Sequence, residues 1–237
     1  MRRYKNEKYN HLANVQHAFQ AEAKADSLDI TMYGDIGESW WSDSTSAVDI
    51  ERALQATAAN VINIHLNSPG GDVFDGIAIY NQLKNHPAKV IIHVDGLAAS
   101  AASIIAMAAD ELIMNTGSML MIHEASTWTW GTKLDIRKTL NALEGIDKSI
   151  ADIYMTRYKG ERSEMDTMIA NETWFTANEA VEMGLAHQVN EQVEDNDVVD
   201  PEEFKNHVLQ KFRNQKKQSE PIVAGSNENI LTKFKRS

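Results

Sequence analysis

The chain has no cysteine and only 4 prolines in 237 residues. Without thiols there is no disulfide framework, no thiol nucleophile and no thiolate metal site, which fits a reducing, cytoplasmic setting. Positive charge is also scarce. The 23 Lys and Arg stand against 34 Asp and Glu, a formal net charge of −11, and such a surface repels nucleic acid overall. No stretch approaches the roughly 18 consecutive apolar residues that suggest a membrane span. The basic start, Met1 to Lys5, is followed by no apolar h-region, so neither a secretory signal nor membrane association is expected. A phosphate loop of the Gly-x-x-x-x-Gly-Lys-Ser/Thr type is missing, so any dependence on ATP would come from a separate chain. His123-Glu124 is not followed by a second histidine at helical spacing, and neither a metal nor another cofactor is expected.

What remains is an ordinary globular composition, 43% hydrophobic and 24% charged, at a length that suggests one sizeable domain with extensions. Residues 1–27 are polar, with weak helical character from Asn14 onward, and read as an N-terminal arm. Residues 28–190 form the expected domain. Alternating apolar positions at Leu28, Ile30 and Met32 predict a strand. A helix is predicted over 47–60, with Ser46 as N-cap and Asp49 in its first turn. A strand over 60–66 runs into the turn signal Asn67-Ser68-Pro69-Gly70-Gly71. Next come a helix over 75–85, a strand over 90–94, and an alanine-rich segment from Gly96 to Ala109 that reads as a buried helix. Short strands at 112–114 and 119–123 precede helices over 133–158, 163–170 and 176–183, the last capped by Thr176 with Glu179 and ended by Gly184. Such alternation argues for an α/β fold. Residues 191–237 turn acidic, then basic-leaning and polar, and read as a charged, solvated extension.

Three segments carry candidate chemistry. Gly70 and Gly71 let the backbone turn sharply and aim N–H groups at a ligand, although a plain tight turn accounts for them equally. In Gly96-Leu97-Ala98-Ala99-Ser100-Ala101 a strand gives way to a helix of small residues. A serine there has its hydroxyl near the positive helix end, and the N–H of Ala101 is free of intrahelical partners. Ser100 could also be a simple N-cap, and Ser103 is a rival nucleophile that should point into packing one turn deeper. The third segment, Met121-Ile122-His123, places an imidazole at the rim of a sheet. His65 and His93 look like core or cross-strand residues, His86 precedes a proline, and His11, His17, His187 and His207 lie outside the apparent sheet. Together the segments supply a hydroxyl, a base able to take its proton, and two N–H donors, which are the parts of acyl transfer.

With these motifs in this order, the chain resembles the proteolytic subunit of Clp-type proteases, and especially the Clp-related head maturation proteases encoded with phage capsid genes. The resemblance runs from about Leu28 to Val189, and the Gly37-Glu38-Ser39-Trp40-Trp41 segment and the charged extension are similar to the phage-associated branch. It rests on Asn67-Ser68-Pro69-Gly70-Gly71, Gly96 to Ser100, Met121-Ile122-His123 and the Glu179-to-Leu185 stretch. It implies the Clp/crotonase-like fold, repeated ββα units forming a sheet spiral with a protruding helical handle over 133–158. It also implies Ser100 as nucleophile, His123 as base, and an oxyanion hole from the N–H groups of Gly71 and Ala101. The family's third triad member is an aspartate. The aligned residue here is Thr173, with Glu172 and Asp166 as rivals. The resemblance further implies a homo-oligomeric ring acting on polypeptides, with a separate ATPase or with capsid and scaffold proteins as partners. Trp128 and Trp130 look like part of a substrate-side strand. The competing readings are a catalytically weak ring or scaffold protein, and an acyl-CoA enzyme of the crotonase type, which usually employs a carboxylate base.

Overall fold

The computed structural model describes residues 15–37, 43–56 and 58–190. The readings made above on residues 1–14, on the Glu38-to-Trp41 part of the Gly37–Trp41 segment, and on the 191–237 extension lie outside the described residues.

The elements follow in chain order: β1 Ala18–Ala23, β2 Ser27–Ile36, α1 Ala47–Gln55, β3 Val61–Gly71, α2 Val73–Lys84, β4 Lys89–Ala99, α3 Ala101–Ala106, β5 Glu111–Asn115, β6 Met119–Ile122, α4 Lys133–Met155, α5 Arg162–Ala170, β7 Thr173–Thr176, α6 Ala177–Glu182 and β8 Gln188–Asn190. The main path of the sheet is β1-β2-β3-β4-β5-β8, while β6 pairs with β4 and β7. All pairings from β2 through β5 to β8 are parallel, and β1 and β7 join antiparallel. Period-two alternation explains the layers. Ile30 and Met32, Ile64 and Leu66, Ile92 and Val94, and Leu112 and Met114 are all fully buried in one apolar cluster that also contains residues of α1, α2 and α3. The intervening positions carry Tyr33, His65, His93 and Asp95, joined on the other face: Asp95 accepts from Tyr33 Oη at 2.6 Å and lies 3.0 Å from His65 Nδ1. His65 and His93 stack across β3 and β4 at 5.2 Å. They are cross-strand neighbours, as one of the two sequence readings has it, and not core residues.

Capping chemistry places the helix starts. Ser46 and Asp49 form a reciprocal capping box on α1, Thr132 and Asp135 on α4, and Thr176 and Glu179 on α6. Each satisfies N–H groups that have no intrahelical partner. α1 ends at Gln55, short of the predicted Asn60.

Four expectations change. The weakly helical stretch after Asn14 instead contributes β1, which pairs with β2 from Ala18↔Tyr33 to Ala23↔Leu28. A free strand edge offers its backbone more hydrogen bonds than a marginal isolated helix keeps. Asn67 to Gly71 is not a turn but the extended end of β3, pairing with β2 as far as Ile36↔Gly71. The predicted helix from Gly96 begins only at Ala101, because Leu97, Ala98 and Ala99 pair with Met119, Leu120 and Met121 of β6. Alanine's helix propensity is worth only tenths of a kcal/mol, and sheet pairing overrides it. Finally, Trp128 and Trp130 lie in no strand and are 77% and 84% exposed.

Candidate active site

β4 changes partner halfway along its length. Ile91 to Val94 pair with β5, while Leu97 to Ala99 pair with β6. The register Ala99↔Met121 therefore delivers Ser100 and His123 to the carboxyl ends of two neighbouring parallel strands. Their side chains meet: His123 Nε2 lies 2.8 Å from Ser100 Oγ. The imidazole is buried, with 8% of the residue exposed. At that separation the ring nitrogen can accept the hydroxyl proton directly, the geometry a general base requires.

Ser100 sits on a tight elbow between strand and helix, with φ 56° and ψ −126°. A non-glycine residue in that region costs about 1–3 kcal/mol and persists only where its surroundings hold it. Here its N–H donates to Met121 O at 2.9 Å, and its carbonyl accepts from Ser103 N at 2.9 Å and Ile104 N at 3.3 Å. Ser100 occupies the N-cap position of α3, but its side chain makes no capping bond, so its hydroxyl is not spent as a cap.

The end of β3 presses against this elbow. Gly70 has φ +88°, and a Cβ on it would lie 2.6 Å from Ala99 O, 2.7 Å from Ser100 Cβ and 2.8 Å from Ala101 N. Its own N–H donates to the fully buried Ser68 Oγ at 3.0 Å. A Cβ on Gly71 would overlap the Ile36 backbone. Asn67 Oδ1 accepts from Leu97 N at 3.1 Å and ties β3 to β4 just before the elbow. Sequence reading passed over Ser68 and Asn67. Their only signal is that they are polar residues inside the glycine motif. Gly70→Ala is expected to lower stability by about 1–3 kcal/mol and to slow covalent labelling of Ser100 more than tenfold. Urea denaturation and the labelling rate check the two effects.

Ser103 is fully buried, as expected of the deeper serine. Its hydroxyl donates to Ser100 O at 2.6 Å and lies 2.8 Å from Tyr154 Oη. Thr173 opens β7 opposite Ile122, one residue from His123. Its hydroxyl donates to Met168 O at 2.7 Å, so toward an imidazole it can act only as acceptor. Continuing the register by one sets Glu172 opposite His123. Glu172 is buried, with φ 53°. Asp166 belongs elsewhere: its carboxylate is ion-paired with Arg162 on the outer face of α5 at 2.8 Å. Among the described residues no cluster of His, Cys, Asp and Glu could hold a metal ion, and no helix is long and apolar enough to cross a membrane.

Residues 21–193 match the family model described as Clp protease. Proteolytic subunit 3 of the ATP-dependent Clp protease of Rhodococcus jostii is 30% identical over 130 residues, covering 54% of this chain and 64% of that protein. Subunit 1 from Protochlamydia amoebophila is 32% identical over 155 residues, covering 62% and 75%. The chain thus spans just under two thirds of the length of the first of these relatives and three quarters of the second. A ClpP1 mutant from Listeria monocytogenes shares the fold with a TM-score of 0.56 at 22% identity, over 70% of this chain and 92% of that one. On the extent of the family match and this shared mixed α/β architecture, the chain belongs to the Clp protease family.

Proposed function

We propose that this protein is a serine endopeptidase in which Ser100 attacks the peptide carbonyl and His123 takes the hydroxyl proton, then returns it to the leaving amine. The observation that carries the reading is the 2.8 Å separation of Ser100 Oγ and His123 Nε2. In the acylation step the Oγ–C bond forms, the carbonyl becomes an oxyanion, and the N–H groups of Gly71 and Ala101 receive its charge. Collapse expels the amine, and water then hydrolyses the ester through the same base. Thr173 supports the Nδ1 side of His123 as a neutral acceptor. A crotonase-type reaction fits less well, because a serine within hydrogen-bond reach of a histidine is not the carboxylate base that chemistry usually employs.

The working form we infer is a ring of identical chains. Leu134, Ile136 and Leu140 on the outer half of α4 are exposed, while Ile150, Ala151 and Tyr154 near its other end are buried. An apolar stripe left in water on a 23-residue helix suits a second copy of the chain. For substrate we favour capsid or scaffold polypeptides of a phage, on the resemblance of the Gly37–Trp41 segment and the charged extension. Pairing with a separate ATPase is the other arrangement open to a member of this family.

A fluorophosphonate probe is expected to label the full chain once, at Ser100, as read by mass spectrometry of the labelled peptide. Labelling that persists in Ser100→Ala would sink the assignment. The second reading, a ring or scaffold protein with weak or no activity, is favoured by one observation: a threonine stands where the family pattern has a carboxylate. Robust peptide turnover abolished by His123→Ala rules that reading out.

A further inference from the structure

Tyr154 is fully buried on α4, far along the chain from the elbow, and nothing in the Ser–His chemistry calls for it. Its hydroxyl lies 2.8 Å from Ser103 Oγ, which in turn donates to Ser100 O at 2.6 Å. Ser103 has a single hydroxyl proton, and that proton goes to Ser100 O. The Tyr154 hydroxyl is therefore the donor in the other bond. The chain of donation runs Tyr154 Oη–H to Ser103 Oγ–H to the Ser100 carbonyl. Burial raises the Tyr154 phenol above its ordinary value. The phenol thus keeps its proton for this task at neutral pH.

The Ser100 carbonyl and the Ala101 N–H belong to one planar peptide group. Fixing one end of that plane fixes the direction of the other. Hydrogen bonds accepted by a carbonyl also polarise its amide and make the N–H a stronger donor, and aligned chains of such bonds reinforce one another. The relay adds to the Ser103 and Ile104 N–H groups that also donate to this carbonyl, at an elbow where Ser100 holds a strained φ of 56° and a rotated peptide would turn its N–H away from the substrate.

We propose that Tyr154 and Ser103 are positioning residues that hold and polarise the Ser100–Ala101 peptide, so that the Ala101 N–H is aimed at the oxyanion before substrate arrives. The inference rests on the serine peptidase reading and deepens it. Neither side chain touches substrate. They act through the peptide, and therefore on the transition state more than on peptide binding.

The test uses the full-length chain, a fluorogenic peptide that the wild type cleaves, and a peptide boronate whose adduct places an oxygen in the oxyanion position. Tyr154→Phe is expected to lower kcat about fivefold and Ser103→Ala about twentyfold, both with KM unchanged, and to weaken boronate binding by matching factors. Because Tyr154 acts only through Ser103, the double variant should be no slower than Ser103→Ala alone. Multiplicative losses, losses carried in KM, or kcat within twofold of wild type in both single variants would overturn the relay while leaving the peptidase standing. Tyr154→Phe keeps the packed ring, so it decides the matter alone if Ser103→Ala does not fold. A wild-type chain that shows no Ser100-dependent cleavage and no boronate binding removes the peptidase reading, and the relay with it.

Discussion

Ser100→Ala and His123→Ala are each expected to lower kcat for peptide hydrolysis by a factor on the order of 10⁴–10⁶, with KM little changed. A serine hydroxyl is a weak nucleophile at neutral pH, and its attack depends on transferring the proton as the bond forms. Among the described residues, the acceptor set against Ser100 Oγ is His123 Nε2, at 2.8 Å. Removing the base leaves a hydroxyl without a proton acceptor, and removing the hydroxyl leaves a base with nothing to activate. The two groups act as a unit, so the double variant should be no slower than either single one. Progress curves with a fluorogenic peptide, collected on variants confirmed as folded, measure all three. Substantial turnover in Ser100→Ala would place the nucleophile elsewhere. Multiplicative losses in the double variant would mean that the two side chains do not work together.

Thr173→Asp is expected to raise kcat about tenfold or more. A histidine that takes a proton becomes an imidazolium, and a carboxylate at its far nitrogen both orients the ring and stabilises that charge. Thr173 occupies the strand start beside His123, with its hydroxyl proton committed to Met168 O. It offers lone pairs but no charge, so on the proposed assignment the transition state lacks the stabilisation that an aspartate supplies. The gain should appear in kcat, not KM, because ground-state peptide binding does not involve a charged histidine. Steady-state kinetics of Thr173→Asp beside Glu172→Gln settles which position matters. Loss of activity in Glu172→Gln together with no gain in Thr173→Asp would assign the orienting role to Glu172.

The parts of the structure that alternation and capping govern are legible in the sequence. Leu28, Ile30 and Met32 mark β2, and Ser46, Thr176 and Glu179 mark helix starts through bonds between residues three apart in the chain. The failures share a cause. Ala18–Ala23, Asn67 to Gly71 and Leu97 to Ala99 all became strand, because each found a partner edge, the adjoining hairpin strand for Ala18–Ala23 and a distant segment for the other two. Neither alanine-rich composition nor a glycine pair announces that partner. Tyr154 was invisible for the same reason: its spacing predicts a buried helix face, and only the packing of α4 under α3 turns its hydroxyl toward Ser103.

By itself, the sequence singled out Ser100 and His123 as the candidate pair. A serine after a strand and glycine, and a histidine ending a later strand, are local features that keep their meaning wherever the segments lie. It also determined the absence of thiol chemistry, since composition needs no fold. Only the tertiary structure decided that the pair meets, because that depends on β4 leaving β5 for β6 at Asp95–Gly96 and on the register Ala99↔Met121. The strained elbow at Ser100, the close approach of Gly70 and the hydroxyl relay from Tyr154 were decided there too. Each is a hydrogen bond or steric contact between segments far apart in the chain, and such contacts exist only once the backbone has closed on itself.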